Sequence, residues 1–373
     1  MGSLTDQEIR SFIARKYKEI LFRESDIIGL EHYFSCIKSG EIKLDDLEDI
    51  LRNSQEYNEL VKGFNITPIP EPDYIFITCF NHSTGQGGLL ALNKENLDTI
   101  YDETGCYGCF YQKKHELLFC VTREKPQIIC FRKENNKFIR VNIHFENYIF
   151  GYDAHGIYVS EHKIYIVASD GEPDSEKATN KDGPGNKVGK IIVSEINIER
   201  NTILIKNSFI LNPFSCLHHH HINDIIMIDN SMYFTSFSYC KYSRDYTSRG
   251  AVSELNKNNE CNVILDGFEQ PHSLILFRDR FYFCSSNLST IYSFDLLKKN
   301  LRVEYKGPDA YIRGLLITDD YFYIGISESI GRTNSRFNKQ ACRLLRFNKN
   351  TGETTIIQIP STYNNVYSII SDQ

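Results

Sequence analysis

From residue 74 onward, apolar and polar positions repeat as a fixed phrase. Written from its polar residue, the phrase reads His155-Gly-Ile-Tyr-Val, Asn223-Asp-Ile-Ile-Met, His272-Ser-Leu-Ile-Leu and Arg313-Gly-Leu-Leu-Ile. After a short turn each is followed by a second apolar run: Ile164-Tyr-Ile-Val, Met232-Tyr-Phe-Thr, Phe281-Tyr-Phe-Cys and Phe322-Tyr-Ile-Gly. The residue two places after the polar one is always apolar, and the second run begins seven residues after that. A weaker copy starts at Tyr107-Gly-Cys-Phe-Tyr and continues into Leu117-Leu-Phe-Cys. Two strands per unit at a fixed period are the mark of a radially repeated all-β architecture.

Six units can be counted, which predicts a six-bladed β-propeller over residues 74–373. Unit one is Tyr74-Ile-Phe-Ile-Thr followed by Gly88-Leu-Leu-Ala-Leu. Units two to six span about 105–150, 152–212, 219–269, 270–309 and 310–360. Unit one lacks an innermost strand, and Asn365-Val-Tyr-Ser-Ile-Ile is positioned to supply it, closing the ring with strands from both ends. Outer strands are visible as alternating runs, Ile291–Asp295 then 301–304 and Arg343–Phe347 then 354–357, joined by polar turns such as Asn350-Thr-Gly352.

Residues 1–62 follow a different period. Ile9, Phe12, Ile13, Tyr17, Ile20 and Leu21 recur at helical spacing. A second helix is expected over Ile27–Ile37, stopped by Ser39-Gly40, and a third from about Leu44 to Leu60. Residues 63–73, with Pro68, Pro70 and Pro72, read as a stiff linker.

Composition narrows the class. Of 373 residues, 41% are hydrophobic and 24% charged, which fits a globular chain. Twenty-three Tyr and 24 Phe against 3 Met and no Trp suit strands. The net charge is −6, and no basic stripe stands out, so nucleic acid is not expected as a partner. No apolar stretch has signal-peptide form or membrane-spanning length. Eleven cysteines, an odd number without an export signal, predict reduced buried thiols and a cytoplasmic location. The Asn-X-Ser/Thr triplets at Asn65, Asn81 and Asn287 are then chance matches.

Two stretches resemble known families. Leu21-Phe-Arg23-Glu24-Ser-Asp26-Ile-Ile-Gly29-Leu30, Tyr33, Ser39-Gly40 and Ser54-Gln-Glu56-Tyr57 together resemble a short bacterial helical module similar to part of the phycobilisome linker domain. That likeness implies a docking or spacer role, with a protein partner for the helices. Arg23 and Asp26 read as a structural ion pair or cap. Pro271-His272-Ser273, Ile312-Arg313-Gly314-Leu315 with Gly325-Ile-Ser327, and His221-Ile-Asn223 resemble an uncharacterised six-bladed propeller family, a domain of unknown function. The likeness covers roughly residues 150–335 and implies the fold and the choice of residues, not an activity. The chain departs from that family at Cys216–His221, where a segment is shortened to Leu-His-His-His-His, which leaves His218, His219 and His220 without an assigned role.

In a propeller the innermost strand starts on the face where the second strand ends. That rule gathers Tyr107, His155, His221, Asn223, His272 and Arg313 at one mouth. Around them stand Asn81, His82, Thr122, Arg123, Ser169, Asp170, Ser236, Ser285, Asn287, Ser327 and Glu328. The longest insertions, 171–189, 239–250 and 328–341, follow the same strand ends, as binding loops or lids do. Opposite them the turns are short and polar.

Three chemistries suit this set. In the first, His155, His221 and His272 hold a divalent transition metal (Mn, Zn, Fe or Ni), with Asn223 or an acid as fourth ligand. In the second, His155 and His272 are catalytic without metal, one as general base, and Arg313 holds an anionic group or developing negative charge. Proton abstraction next to a carboxylate, as in uronate β-elimination, needs such a set. In the third, the mouth only binds, with Tyr107, Asn223, Arg123, Ser327, Glu328 and Arg332 as ligand contacts. Arg123, Arg244, Arg249, Arg332 and Arg336 favour an acidic ligand. A plain alternative is a polar plug of hydrogen bonds in the channel.

The expectation is an enzyme, lyase- or hydrolase-like, acting on a small polar, anionic saccharide-type ligand. The alternative is a non-catalytic binding propeller tethered by its helices. Cys106-Tyr-Gly-Cys109 has metal spacing but no second pair and reads as adjacent buried thiols. Asp170, Glu172 and Asp174 alternate as calcium ligands can, yet a solvated acidic loop is the simpler reading. Gly85-Gln-Gly87-Gly88 precedes no helix and so is no phosphate loop.

Overall fold

Alternation of apolar residues builds strands, and in this chain it builds six separate small sheets. A computed structural model describes residues 5–20, 25–56, 70–81, 84–122, 127–149, 154–169, 189–199, 202–213, 221–228, 230–237, 249–296, 300–307, 310–327 and 342–373. The chain divides into two compact units, 1–69 and 70–373.

The first unit holds α1 (Asp6–Ile20), α2 (Ile27–Ser39) and α3 (Leu47–Arg52). Ile9, Ile13, Tyr17 and Ile20 of α1 share one stripe, as their spacing requires, and bury it against Leu47 and Leu51 of α3. Asp26 caps α2: its Oδ1 accepts the Gly29 N–H at 2.7 Å. Arg23 lies outside the described residues. The third helix is shorter than its apolar pattern suggests. It breaks at Asn53–Ser54, where the Asn53 Nδ2 donates to the Asp49 carbonyl at 2.8 Å and the Ser54 hydroxyl donates to the Leu51 carbonyl at 2.7 Å. The Asp49 carbonyl also keeps its helical bond from the Asn53 N–H at 3.0 Å, and the chain is helical again at 55–56. Most of the Pro-rich linker falls outside the described residues.

The second unit is a six-bladed β-propeller. Blade one contains β1 (Ile75–Phe80), β2 (Gly87–Asn93) and β3 (Asn96–Tyr101). Blade two contains β4 (Cys106–Gln112), β5 (Leu117–Thr122), β6 (Ile128–Glu134) and β7 (Lys137–Arg140). β8 (Asn142–Glu146) follows. Blade three contains β9 (Ala154–Val159), β10 (Lys163–Ser169), β11 (Gly189–Ile198) and β12 (Thr202–Leu211). Blade four contains β13 (Ile222–Ile228), β14 (Ser231–Ser236), β15 (Gly250–Leu255) and β16 (Cys261–Phe268). Blade five contains β17 (Pro271–Phe277), β18 (Arg280–Ser285), β19 (Thr290–Phe294) and β20 (Arg302–Lys306). Blade six contains β21 (Tyr311–Ile317), β22 (Tyr321–Ser327), β23 (Arg343–Asn348) and β24 (Thr354–Gln358). Finally, β25 (Asn365–Ser371) pairs antiparallel with β1 and completes blade one, as the missing strand required.

One strand departs from the sequence reading. β8, expected in unit two, pairs parallel with β12 and forms the outer edge of blade three. Its apolar residues Ile143 and Phe145 explain the choice, because they pack on the core shared by blades two and three.

The core is divided among the seams between blades. The third apolar residue of each second strand (Ile77, Phe119, Ile166, Phe234, Phe283 and Ile324) is 0% exposed, which makes the six blades equivalent in packing as well as in sequence. Closure is reinforced beyond the ladder. The Tyr74 N–H donates to Asp372 Oδ1 at 3.2 Å, and Lys133 of blade two reaches Asp372 Oδ2 at 3.4 Å.

Candidate functional site

Every innermost strand carries a register shift near its start. The shifts fall within 106–109 in β4, opposite 167–168 in β9, within 222–224 in β13, 272–275 in β17 and 312–315 in β21, and opposite 77–79 in β25. A bulge bends the strand and re-aims the side chain that occupies it. Tyr107, His155, Asn223, Arg313 and Tyr367 lie in these bulges, and His272, paired with Cys284, directly precedes the one in β17. These six residues form one layer at the ring's centre, each less than a tenth exposed.

Ring contacts run around that layer. Tyr367 meets Tyr107 with centroids 4.5 Å apart, Tyr107 meets His155 at 5.4 Å, and His155 meets His221 at 4.3 Å. Phe237 lies next, 4.7 Å from His221 and 5.0 Å from His272. Tyr311 is 6.0 Å from His272, and the Arg313 guanidinium covers the Tyr367 ring at 3.6 Å. The expected histidines thus share one layer, but a phenyl ring stands between His221 and His272. Among the described residues no three metal-ligating side chains converge. Of the three expected ligands, His155 and His221 are in direct ring contact.

His272 has a defined proton arrangement. Its Nδ1 lies 2.9 Å from the Gln270 carbonyl oxygen and 2.8 Å from the Ser286 hydroxyl. A carbonyl oxygen only accepts, so Nδ1 carries the hydrogen and Nε2 presents a lone pair. Nε2 is buried and has no hydrogen-bond partner among the described residues. Burial, then the positive charge of Arg313, then His221 hold the imidazole well below its ordinary value of 6.5, so it is neutral at neutral pH. Asn223 Oδ1 and Arg313 Nε are likewise buried without a hydrogen-bond partner among the described residues. Asn223 spends its Nδ2 on the Pro271 carbonyl at 3.0 Å, which ties blade four to blade five.

Asp224, next to Asn223, brings a carboxylate to the layer. Its Oδ2 accepts the Ser273 N–H at 2.6 Å and the Thr235 hydroxyl at 3.2 Å. Burial raises its carboxyl above the ordinary value, against the Ser273 N–H, Arg313 and Thr235, which lower it.

The other expected residues divide. Ser327 is committed to blade closure: its hydroxyl donates to the Val366 carbonyl at 3.2 Å and accepts the Val366 N–H at 3.0 Å. The Ser285 hydroxyl donates to the Glu269 carbonyl at 3.1 Å, and Asn81 Nδ2 donates to the Thr362 carbonyl at 2.8 Å. Thr122 and Ser236 are buried. His82, Arg123, Asp170, Glu172, Asp174, His218, His219, His220, Arg244, Glu328, Arg332 and Arg336 lie outside the described residues, as do most or all of the three long insertions.

Sequence reasoning missed Tyr367, Phe237 and Asp224. Tyr367 had a signal, because Val366-Tyr367-Ser368-Ile369 repeats the apolar–polar phrase of Cys106-Tyr107-Gly108-Cys109. Phe237 had none, since it enters from the end of a second strand. No described helix is long and apolar enough to cross a membrane.

No protein-family profile matches the chain, and no curated protein matches it. Solved structures do. A structure of a nidogen/laminin complex is 9% identical, with 79% of this chain and 97% of that chain covered at a TM-score of 0.50. A luciferin-regenerating enzyme is 11% identical over 70% of this chain and 78% of its own, at 0.45. A calcium-binding regucalcin from Agrobacterium tumefaciens is 10% identical over 68% and 74%, at 0.42. At 9% identity the likeness to the nidogen/laminin structure is one of fold alone.

Proposed function

We propose that the axial layer binds a small, hydroxylated carboxylate of saccharide type and that His272 removes a proton from it, in lyase- or hydrolase-like chemistry. The observation that carries this reading is the buried lone pair of His272 Nε2 beside Arg313. A neutral imidazole with a fixed tautomer is ready to accept a proton. Arg313 N–H groups suit the ligand carboxylate and the charge that grows on it as the adjacent C–H breaks. In a β-elimination the proton passes to Nε2, a C=C bond forms, and the β C–O bond breaks with its electrons leaving on oxygen. Asn223 Oδ1 is suited to accept from a ligand hydroxyl.

The second reading is binding without turnover. The rings of Tyr107 and Tyr311 favour it, because rings of this kind stack on sugars without reacting. A divalent metal enters either reading through His155 and His221. Ile27 and Ile28, 81% and 83% exposed at the start of α2, suit the docking role implied for the helical unit.

The test is a panel of uronates and uronate oligomers, followed by the ultraviolet absorbance of the conjugated alkene that elimination creates. Wild type should turn over a member of the panel and His272→Gln should not, while still binding it. Binding by both proteins without absorbance change would leave the binding reading. Binding by neither would remove both. Elemental analysis of wild type beside His155→Ala/His221→Ala decides whether a metal takes part.

A further inference from the structure

The residue after each of the six layer residues faces the neighbouring blade. In blades two and three it is glycine, and a Cβ there would lie 2.4 Å from the His155 carbonyl oxygen at Gly108 and 2.8 Å from the Asn223 carbonyl oxygen at Gly156. Backbone can therefore pack on backbone at this seam with no side chain. Blade four nevertheless places Asp224 at the equivalent position. Blades five, six and one place Ser273, Gly314 and Ser368 there.

The carboxylate grips the next blade. Ser273, whose N–H it accepts at 2.6 Å, has φ +60, a left-handed conformation that serine rarely adopts. Ser273 directly follows His272, so the peptide that Asp224 holds is the one that joins these two residues. The chain of contacts continues: Ser273 Oγ accepts the Gly314 N–H at 2.8 Å, and Gly314 directly follows Arg313. Thr235 donates to the same Asp224 oxygen from within blade four and holds the carboxylate in place.

We infer that Asp224 is a positioning residue of the axial site, aligning His272 through the 272–273 peptide and Arg313 in turn through Ser273 Oγ and the Gly314 N–H. This rests on the proposed reading of the layer as a site. The carboxylate touches no reacting atom. Its role is to fix a proton acceptor on blade five and a cation on blade six at one separation, so that one ligand meets both.

The experiment uses the full chain with Asp224→Gly, Asp224→Asn and Ser273→Ala. Glycine is what blades two and three carry at this position, and the Asn amide oxygen can still accept the Ser273 N–H. Long-range proton–nitrogen NMR of the unliganded protein reads the His272 tautomer, whether or not any ligand is known. Wild type and Asp224→Asn should show the single Nδ1–H tautomer, and Asp224→Gly should show both. Ser273→Ala should keep the tautomer. Galacturonate affinity should fall about 10–100-fold in Asp224→Gly, as misplacement of this kind does. A folded Asp224→Gly protein with the wild-type tautomer overturns the inference. An unfolded one makes Asp224 a determinant of the fold and overturns it too. A lost tautomer in a protein that binds no uronate would sink the functional reading and leave the positioning role standing.

Discussion

The guanidinium of Arg313, on the innermost strand of blade six, sits 3.6 Å above the centre of the ring of Tyr367, on the strand that closes blade one. A cation above a buried aromatic face is worth about 2 kcal/mol. The same tyrosine stacks edge-on against Tyr107 at 4.5 Å, a pair worth about 0.5–1.5 kcal/mol beyond its burial. Tyr367 thus links the site's cation to the seam that makes the ring a ring.

Tyr367→Leu keeps much of the apolar volume and removes both interactions. Stability should fall by about 2–3 kcal/mol, read from the urea midpoint. Tyr367→Phe keeps the ring face and should stay close to wild type. Equal losses in the two variants would mean that the hydroxyl, not the face, is what matters.

His272 gives the stability curve a sign. Its folded value lies well below 6.5, so between that folded value and 6.5 the unfolded chain binds more protons than the folded one. The stability associated with the neutral ring is fully present above 6.5 and is lost as the pH falls through this window. Asp224, raised above 3.8, contributes the opposite slope above that value. Comparing wild type with His272→Gln isolates the histidine. Their difference in unfolding free energy should shift against wild type as the pH drops below 6.5, and a parallel pair of curves would contradict the buried neutral imidazole.

Much of this was legible from spacing. The four strong phrases place His155, Asn223, His272 and Arg313 in one layer because identical apolar registers must present identical faces to the axis. The closing strand followed from a missing partner. Less visible was anything decided by contact across a seam. Phe237 comes between His221 and His272 by tertiary packing alone. Ser327 looks like a ligand contact from its place at a strand end, and only the geometry shows both directions of its hydroxyl spent on Val366. The parallel pairing of β8 was hidden for the same reason, since Ile143 and Phe145 fit either neighbouring blade by pattern.

Closure should be measurable one hydrogen bond at a time. Ser327→Ala leaves the Val366 N–H without its acceptor, and Asp372→Ala leaves Lys133 and the Tyr74 N–H without theirs. Each should cost about 1–3 kcal/mol in urea unfolding. Hydrogen exchange should show faster opening at β25 than at the middle of β18. Uniform exchange across both strands would mean that the seam is no weaker than a blade.

The thiols should be inert in the folded state. Burial pushes Cys109 up to about 12 and raises Cys79, Cys120, Cys130 and Cys284 as well. Half-buried Cys261, at about 11, is the most accessible of the described cysteines. Iodoacetamide near neutral pH should modify Cys261 ahead of the other described thiols, which should react only on unfolding. Rapid labelling of Cys109 in the native protein would contradict its burial.

The pairing of β1 with β25 also sets an order of events during synthesis. Residues 75–80, every one buried in the finished ring, leave the ribosome early, but the strand that covers their inner edge is among the last stretches of the propeller to be made. At roughly 5–20 residues per second the wait lasts on the order of tens of seconds. For that interval an apolar strand offers an open edge of the kind that recruits other chains. Translation speed and chaperone cover then act on the yield of closed protein before any of the closing contacts can form.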